Sequence, residues 1–123
     1  MNKSLKLMIV DDSNIMRRRI ERSQQFDEIE LVGTAGNGLE ALELFRTTDP
    51  DVVTMDLTMP QMDGIECIGK LVELKPAIRI LVISALADKA TAVEAMEKGA
   101  NGFLNKPFTD RQLNEAIADL IRE

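Results

Sequence analysis

The sequence predicts an α/β protein: a doubly wound, five-stranded parallel sheet with five helices packed on its two faces. Three observations predict it. Short apolar and β-branched runs alternate five times with segments of helical periodicity. The runs are continuously apolar rather than alternating, as strands covered on both faces are. The connections between them are short, as strand–helix–strand units require.

Leu5 to Val10 reads as the first strand and runs directly into Asp11-Asp12. Ser13 is placed to cap a helix reaching about Gln24, with Ile15, Met16 and Ile20 facing inward and Arg17-Arg18-Arg19 mostly outward. Ile29 to Ala35 is a second strand, broken by Gly36-Asn37-Gly38. A helix to about Arg46 follows, burying Leu39, Leu42 and Phe45, and Pro50 marks its return loop. Asp51 to Asp56 is the third strand, with Pro60 and Gly64 closing off the loop behind it. Gly64 opens a helix that carries Ile65, Ile68 and Val72 at helical spacing and ends near Pro76. Ile78 to Ile83 is the fourth strand, ending at Ser84-Ala85. Lys89 to Lys98 reads as a helix built around Val93 and Met96, with Gly99 as its C-terminal cap. Gly102-Phe103-Leu104 is a short last strand, followed by Asn105-Lys106-Pro107. Thr109 and Gln112 form a capping-box pattern for a final helix with Leu113, Ala116, Ile117, Leu120 and Ile121 as its apolar stripe.

The 123 residues make one domain, 1–123, with no repeat or linker. A net charge of −6 argues against direct nucleic-acid binding, and no apolar run approaches the length of a membrane span. One cysteine, Cys67, permits no intrachain disulfide; with no signal-peptide pattern at the N-terminus, this fits a cytoplasmic protein. The absence of His excludes histidine catalysis and histidine metal ligation within the chain.

The polar residues that interrupt this pattern share one topological position. Asp11-Asp12 follow strand one, Asp56 ends strand three, Ser84 ends strand four and Lys106 follows strand five. In an open parallel sheet all carboxyl ends lie along one edge, where ligands bind. Three clustered carboxylates repel one another unless a cation joins them. An all-oxygen set suits a hard divalent ion, Mg²⁺ best, completed by water and a phosphate oxygen. Lys106 and Ser84 are poor ligands for a metal cage but suit a tetrahedral anion. Together these groups describe phosphoryl transfer onto Asp56 to form an aspartyl phosphate.

Several motifs, in order, resemble the receiver domains of two-component response regulators, and in particular stand-alone CheY-type proteins. They are Val10-Asp11-Asp12-Ser13, Met55-Asp56-Leu57-Thr58-Met59-Pro60, Met62-Asp63-Gly64, Ser84-Ala85 and Asn105-Lys106-Pro107-Phe108, and the match extends from about Leu5 to the end of the chain. The resemblance implies the strand order 2-1-3-4-5. It implies that Asp56 accepts a phosphoryl group from the phosphohistidine of a sensor histidine kinase or phosphotransfer protein. It also implies Mg²⁺, with Mn²⁺ as a substitute, held by Asp12, Asp56 and the Thr58 backbone carbonyl, with Asp11 acting mainly through a bound water. Lys106 would pair with the phosphoryl group, or with Asp56 before transfer, and the Lys106-Pro107 peptide would be cis. Ser84 would move toward the phosphoryl group and Phe103 would turn to fill the space it leaves. A downstream target would read the face made by helix four, strand five and helix five, the protein being a monomer or a weak phosphorylation-dependent dimer. Phe103 stands where Tyr is more familiar, which removes a phenolic hydroxyl from that face. Thr58 and Leu86 occupy positions that tune phosphoryl lifetime in the family, and the apolar Leu86 predicts no unusually fast self-hydrolysis.

Each residue also has a plainer reading. Asp56 alone could be a strand-end cap or a solvated turn residue, and Asp11-Asp12 could simply cap the first helix. Lys106 could be a solvated surface lysine, Ser84 a structural hydroxyl, and Phe103 and Cys67 packing residues. The three arginines could be a solvated face or a docking site for a kinase. Other functions compete as well. An aspartate-nucleophile phosphatase resembling the haloacid dehalogenases would want a second Asp two residues after the first, where this chain has Thr58. Flavin binding would want a hydroxyl- and Gly-rich loop after strand one and aromatics at the site, whereas the chain has Asp11-Asp12 and neither Trp nor Tyr. A non-phosphorylated pseudo-receiver scaffold would not need the intact acids and Lys106. Met1 and the lack of a trailing linker favour a complete single-domain protein, with the receiver portion of a longer transcriptional regulator as the alternative.

Overall fold

The computed structural model describes residues 4–59, 62–85 and 89–122; Pro60 and Leu86 lie outside the described residues. Five strands alternate with five helices. They are β1 (Leu5–Val10), α1 (Asn14–Ser23), β2 (Ile29–Ala35), α2 (Gly38–Thr48), β3 (Val52–Met55), α3 (Gly64–Leu74), β4 (Arg79–Ser84), α4 (Lys89–Glu97), β5 (Gly102–Asn105) and α5 (Asp110–Ile121). All strand pairings are parallel, and the sheet order is β2-β1-β3-β4-β5. The reversal of winding lies between β1 and β3, and there the carboxyl ends of two neighbouring strands open onto a crevice.

Each face of the sheet has its own core. Met8, Val10, Val53, Met55, Ile80 and Val82 pack under α2, α3 and α4 together with Phe45, Ile68 and Leu71. Leu7, Ile9, Val52, Leu81 and Ile83 pack on the other face with Ile20, Phe108, Leu113 and Ile117 of the α1 and α5 layer. Alternate residues of one strand thus serve opposite cores, so both parities must be apolar, as the continuous apolar runs predict. Thr54 shares the parity of Val52 and is buried; its hydroxyl is the buried side-chain polar atom that finds no partner among the described residues.

The helix ends follow their expected chemistry. Ser13 Oγ accepts from the Met16 amide at 3.2 Å. Thr109 and Gln112 satisfy each other's backbone amides at 3.0 and 2.9 Å. Gly99 has φ +119, and the bonds Gly99 N–H to Met96 O and Ala100 N–H to Ala95 O close α4 in a Schellman turn.

Three helix faces differ from the sequence reading. Ile15 is 81% exposed, because Met16, Ile20 and Ser23 form the i, i+4, i+7 line that meets the sheet. Leu39 is 52% exposed, because Gly38, Ala41, Leu42 and Phe45 make the inward stripe of α2. Val93 and Met96 are also exposed; α4 turns Ala95 inward, flanked by the half-buried Ala92 and Gly99. The inward line of that helix is made of small residues, and its larger apolar side chains fall outside it. Among the described residues no helix is long and apolar enough to cross a membrane.

Candidate functional site

The crevice gathers the residues expected there. Backbone hydrogen bonds extend the strand ends beyond the sheet and place each group: Asp11 N–H to Ala35 O at 3.0 Å, Asp56 N–H to Val10 O at 2.9 Å and Lys106 N–H to Ser84 O at 2.9 Å. Asp11 and Asp56 are buried, at 1% and 5% exposure, whereas Asp12 faces solvent. Carboxylate oxygens of Asp11, Asp12 and Asp56 lie within 4.8 Å of one another. The Lys106 ammonium reaches in from after β5, 2.7 Å from Asp11 Oδ2 and 3.8 Å from Asp56 Oδ1. Asp11 Oδ1 also accepts from the Ser13 amide at 2.9 Å, and Asp56 Oδ1 from the Thr58 amide at 3.3 Å.

This geometry leaves Asp56 with an excess of negative surroundings. Its carboxyl is pushed up from 3.8 to about 6, chiefly by burial and then by the Asp11 carboxylate; Lys106 and the Thr58 amide pull downward, and Asp12 adds to the rise. One ammonium does not balance three carboxylates. The donor set is all oxygen, partly desolvated and open on the Asp12 side, so it fits a hard divalent cation better than any softer metal.

Ser84 is buried at the end of β4, beside the carbonyl that holds Lys106. Phe103 is half-buried on β5 and packs against the core under α2, α3 and α4. It also lines a cavity of about 590 Å³ with Arg79, Asn101, Ala116, Asp119 and Leu120, which Asp11, Asp12 and Asp56 do not line. The Lys106-Pro107 peptide is cis. Cys67 is fully buried in the core, and burial with nearby acids pushes its thiol up to about 12, as befits a packing residue.

The arginines correct the sequence reading. Arg18 alone is exposed. Arg17 Nη1 donates to the Asp11 carbonyl at 2.6 Å and Nη2 to Asn14 Oδ1 at 3.3 Å, bracing the turn that presents Asp11 and Asp12. Arg19 donates to the Phe108 carbonyl and stacks on the Phe108 ring. Arg17 could have been anticipated, since side chains at the start of a helix lean back over the preceding turn. Arg19 could not, because its partner is 89 residues away.

Comparison with known proteins agrees with this geometry. Residues 7–118 match the response regulator receiver domain. The chemotaxis protein CheY of Listeria monocytogenes is 39% identical over 113 residues, which span 92% of this chain and 95% of that protein. The protein-glutamate methylesterase/protein-glutamine glutaminase of Pseudoalteromonas atlantica is 43% identical over 117 residues, 92% of this chain but 30% of that protein. Among solved structures, CheY in the CheX–CheY–BeF3–Mg²⁺ complex from Borrelia burgdorferi superposes with a TM-score of 0.91, at 28% identity, over 97% of this chain and 90% of its own. A crevice of three acids and a lysine at the switch point of a 2-1-3-4-5 sheet therefore sits in a chain that belongs to the response regulator receiver domains, as a homologue of the phosphorylation-activated switch CheY.

Proposed function

We propose that Asp56 is the phosphoacceptor of this receiver and takes its phosphoryl group from a phosphohistidine on a sensor histidine kinase or phosphotransfer protein. The observation that carries this reading is the burial of Asp56 at the end of β3, with Lys106 3.8 Å away and two further carboxylates within 4.8 Å. An Asp56 oxygen attacks phosphorus, the P–N bond breaks, and its electron pair returns to the donor imidazole. Asp11, Asp12, Asp56 and the Thr58 carbonyl would hold Mg²⁺, or Mn²⁺ in its place, and the ion would neutralise charge on the transferring phosphoryl group. Lys106 exchanges its pairing with the carboxylates for pairing with a phosphoryl oxygen. Ser84 supplies a hydroxyl to the phosphoryl group, Phe103 repacks, and the face of α4, β5 and α5 changes its affinity for a target. The chain is a phosphoacceptor that promotes its own transfer and slow dephosphorylation rather than an enzyme acting on a separate substrate.

The relatives named chemotaxis protein CheY support a chemotaxis-type pathway. A second reading, a receiver that works as the regulatory part of a longer protein, is favoured by the methylesterase relatives, of which it spans 30%. Incubation with Mg²⁺ and labelled acetyl phosphate tests the central assignment. Wild type is expected to take up acid-stable, alkali-labile label, and Asp56→Asn is expected to take up none. Equal labelling of the variant would remove Asp56 from its role.

A further inference from the structure

We propose that Arg19 is a positioning residue for Lys106, acting through the Pro107-Phe108 segment; the inference rests on the phosphoacceptor reading above. Lys106 must deliver its ammonium to a phosphoryl oxygen, yet it follows the edge strand β5, where the sheet holds the chain from one side only. Its segment has two fastenings. The first is the Lys106 amide on the Ser84 carbonyl at 2.9 Å. The second is Phe108, whose ring is buried in the core between the sheet and the α1 and α5 layer. Arg19, on α1, closes that second fastening from above. Its guanidinium donates to the Phe108 carbonyl and lies 4.4 Å from the centre of the Phe108 ring, within cation–π range. The same group lies 3.5 Å from Asp110 Oδ1 at the first position of α5, an exposed pairing of little weight beside the other two.

One side chain thus ties α1, which follows Asp11-Asp12, to the strap that carries Lys106. Without Arg19 the half-buried Phe108 carbonyl loses its donor, and the backbone two residues from Lys106 is free to shift. Transfer depends steeply on the placement of a charged group, and displacements near 1 Å are costly. A merely structural Arg19 would stabilise the fold and leave the chemistry of folded protein unchanged.

A double-mutant cycle separates the two roles. Initial labelling rates with acetyl phosphate and Mg²⁺ are measured over a range of donor concentrations for wild type, Arg19→Met, Lys106→Ala and the double variant, all under conditions where each is folded. Arg19→Met keeps an apolar stem over Phe108 and removes the donors. It is expected to slow the plateau rate about 3- to 10-fold, the size of one lost hydrogen bond, with little change in half-saturating donor. In the Lys106→Ala background the same substitution should have no further effect, and Arg19→Lys should recover most of the wild-type rate. Should Arg19→Met not fold, Arg19→Gln takes its place in the same cycle. A wild-type rate for Arg19→Met, or an equal slowing with and without Lys106, overturns the inference. Absence of label on wild type would instead overturn the phosphoacceptor reading itself.

Discussion

Asp56 holds its proton to an unusually high pH, and the sign of that shift has a consequence for stability. In the unfolded chain the carboxyl ionises near its ordinary value of 3.8; in the folded protein it does so near 6. Between those values the folded state binds the extra proton, so stability falls as pH rises through that window and stays reduced above it. In metal-free buffer, Asp56→Asn is expected to be more stable than wild type by about 1–3 kcal/mol at pH 7 and by much less at pH 4. Urea denaturation of both proteins across that range checks it, and a difference that does not change with pH would contradict it. The acids and Lys106 were legible in the sequence because strand-end position is a local property: a carboxylate directly after an apolar run has only one place to go. Arg19 was not, since nothing near it on the chain specifies Phe108. Its role depends on where α5 returns.

At the scale of elements, helix existence and caps were readable from Ser13, Gly99, Thr109 and Gln112, whose chemistry is local. Helix orientation was less so. Apolarity alone pointed to Ile15, Leu39, Val93 and Met96, but packing selects which line of residues turns inward, and in α4 that line is made of alanine and glycine. The β3–α3 junction shows the same selection by space. A Cβ added at Gly64 would stand 2.2 Å from the Asp56 carbonyl oxygen and 2.6 Å from Leu57 Cα, both backbone atoms. Gly64→Ala is therefore expected to lose about 2 kcal/mol or more and, on the phosphoacceptor reading, to slow labelling of Asp56, because relieving the clash shifts the Asp56–Leu57 backbone or the start of α3 against it. Gly69 in the same helix offers a control. Its nearest neighbour is 3.9 Å away, so Gly69→Ala should be neutral or gain up to about 1 kcal/mol from helix propensity. Thermal unfolding and labelling rates of the two variants, side by side, decide the matter.

At the scale of the whole molecule, the alternation of five strands and five helices was legible from the repeat of apolar runs alone, and those runs also required two covered faces. The strand order was not readable from them and rested on family resemblance, because order depends on which crossovers pack, a non-local property. In the observed order β3 occupies the middle, bonded to β1 on one side and β4 on the other, and each of its four residues is buried. By contrast α4 contributes only Ala95 to the buried core. Native-state amide exchange should place β3 among the slowest segments, near the global unfolding limit, and α4 as the fastest helix. Comparable protection of the two would contradict this reading.

The central placement of β3 also decides how a phosphoryl group added to Asp56 can be felt. A strand clamped on both edges and both faces behaves as an anvil: it does not recoil from a blow struck at its end. On the phosphoacceptor reading, a shift of β3 would absorb little of the new charge, and its effect would pass to the segments with least to hold them. Rigidity at the point of modification would then leave the response to the rest of the surface.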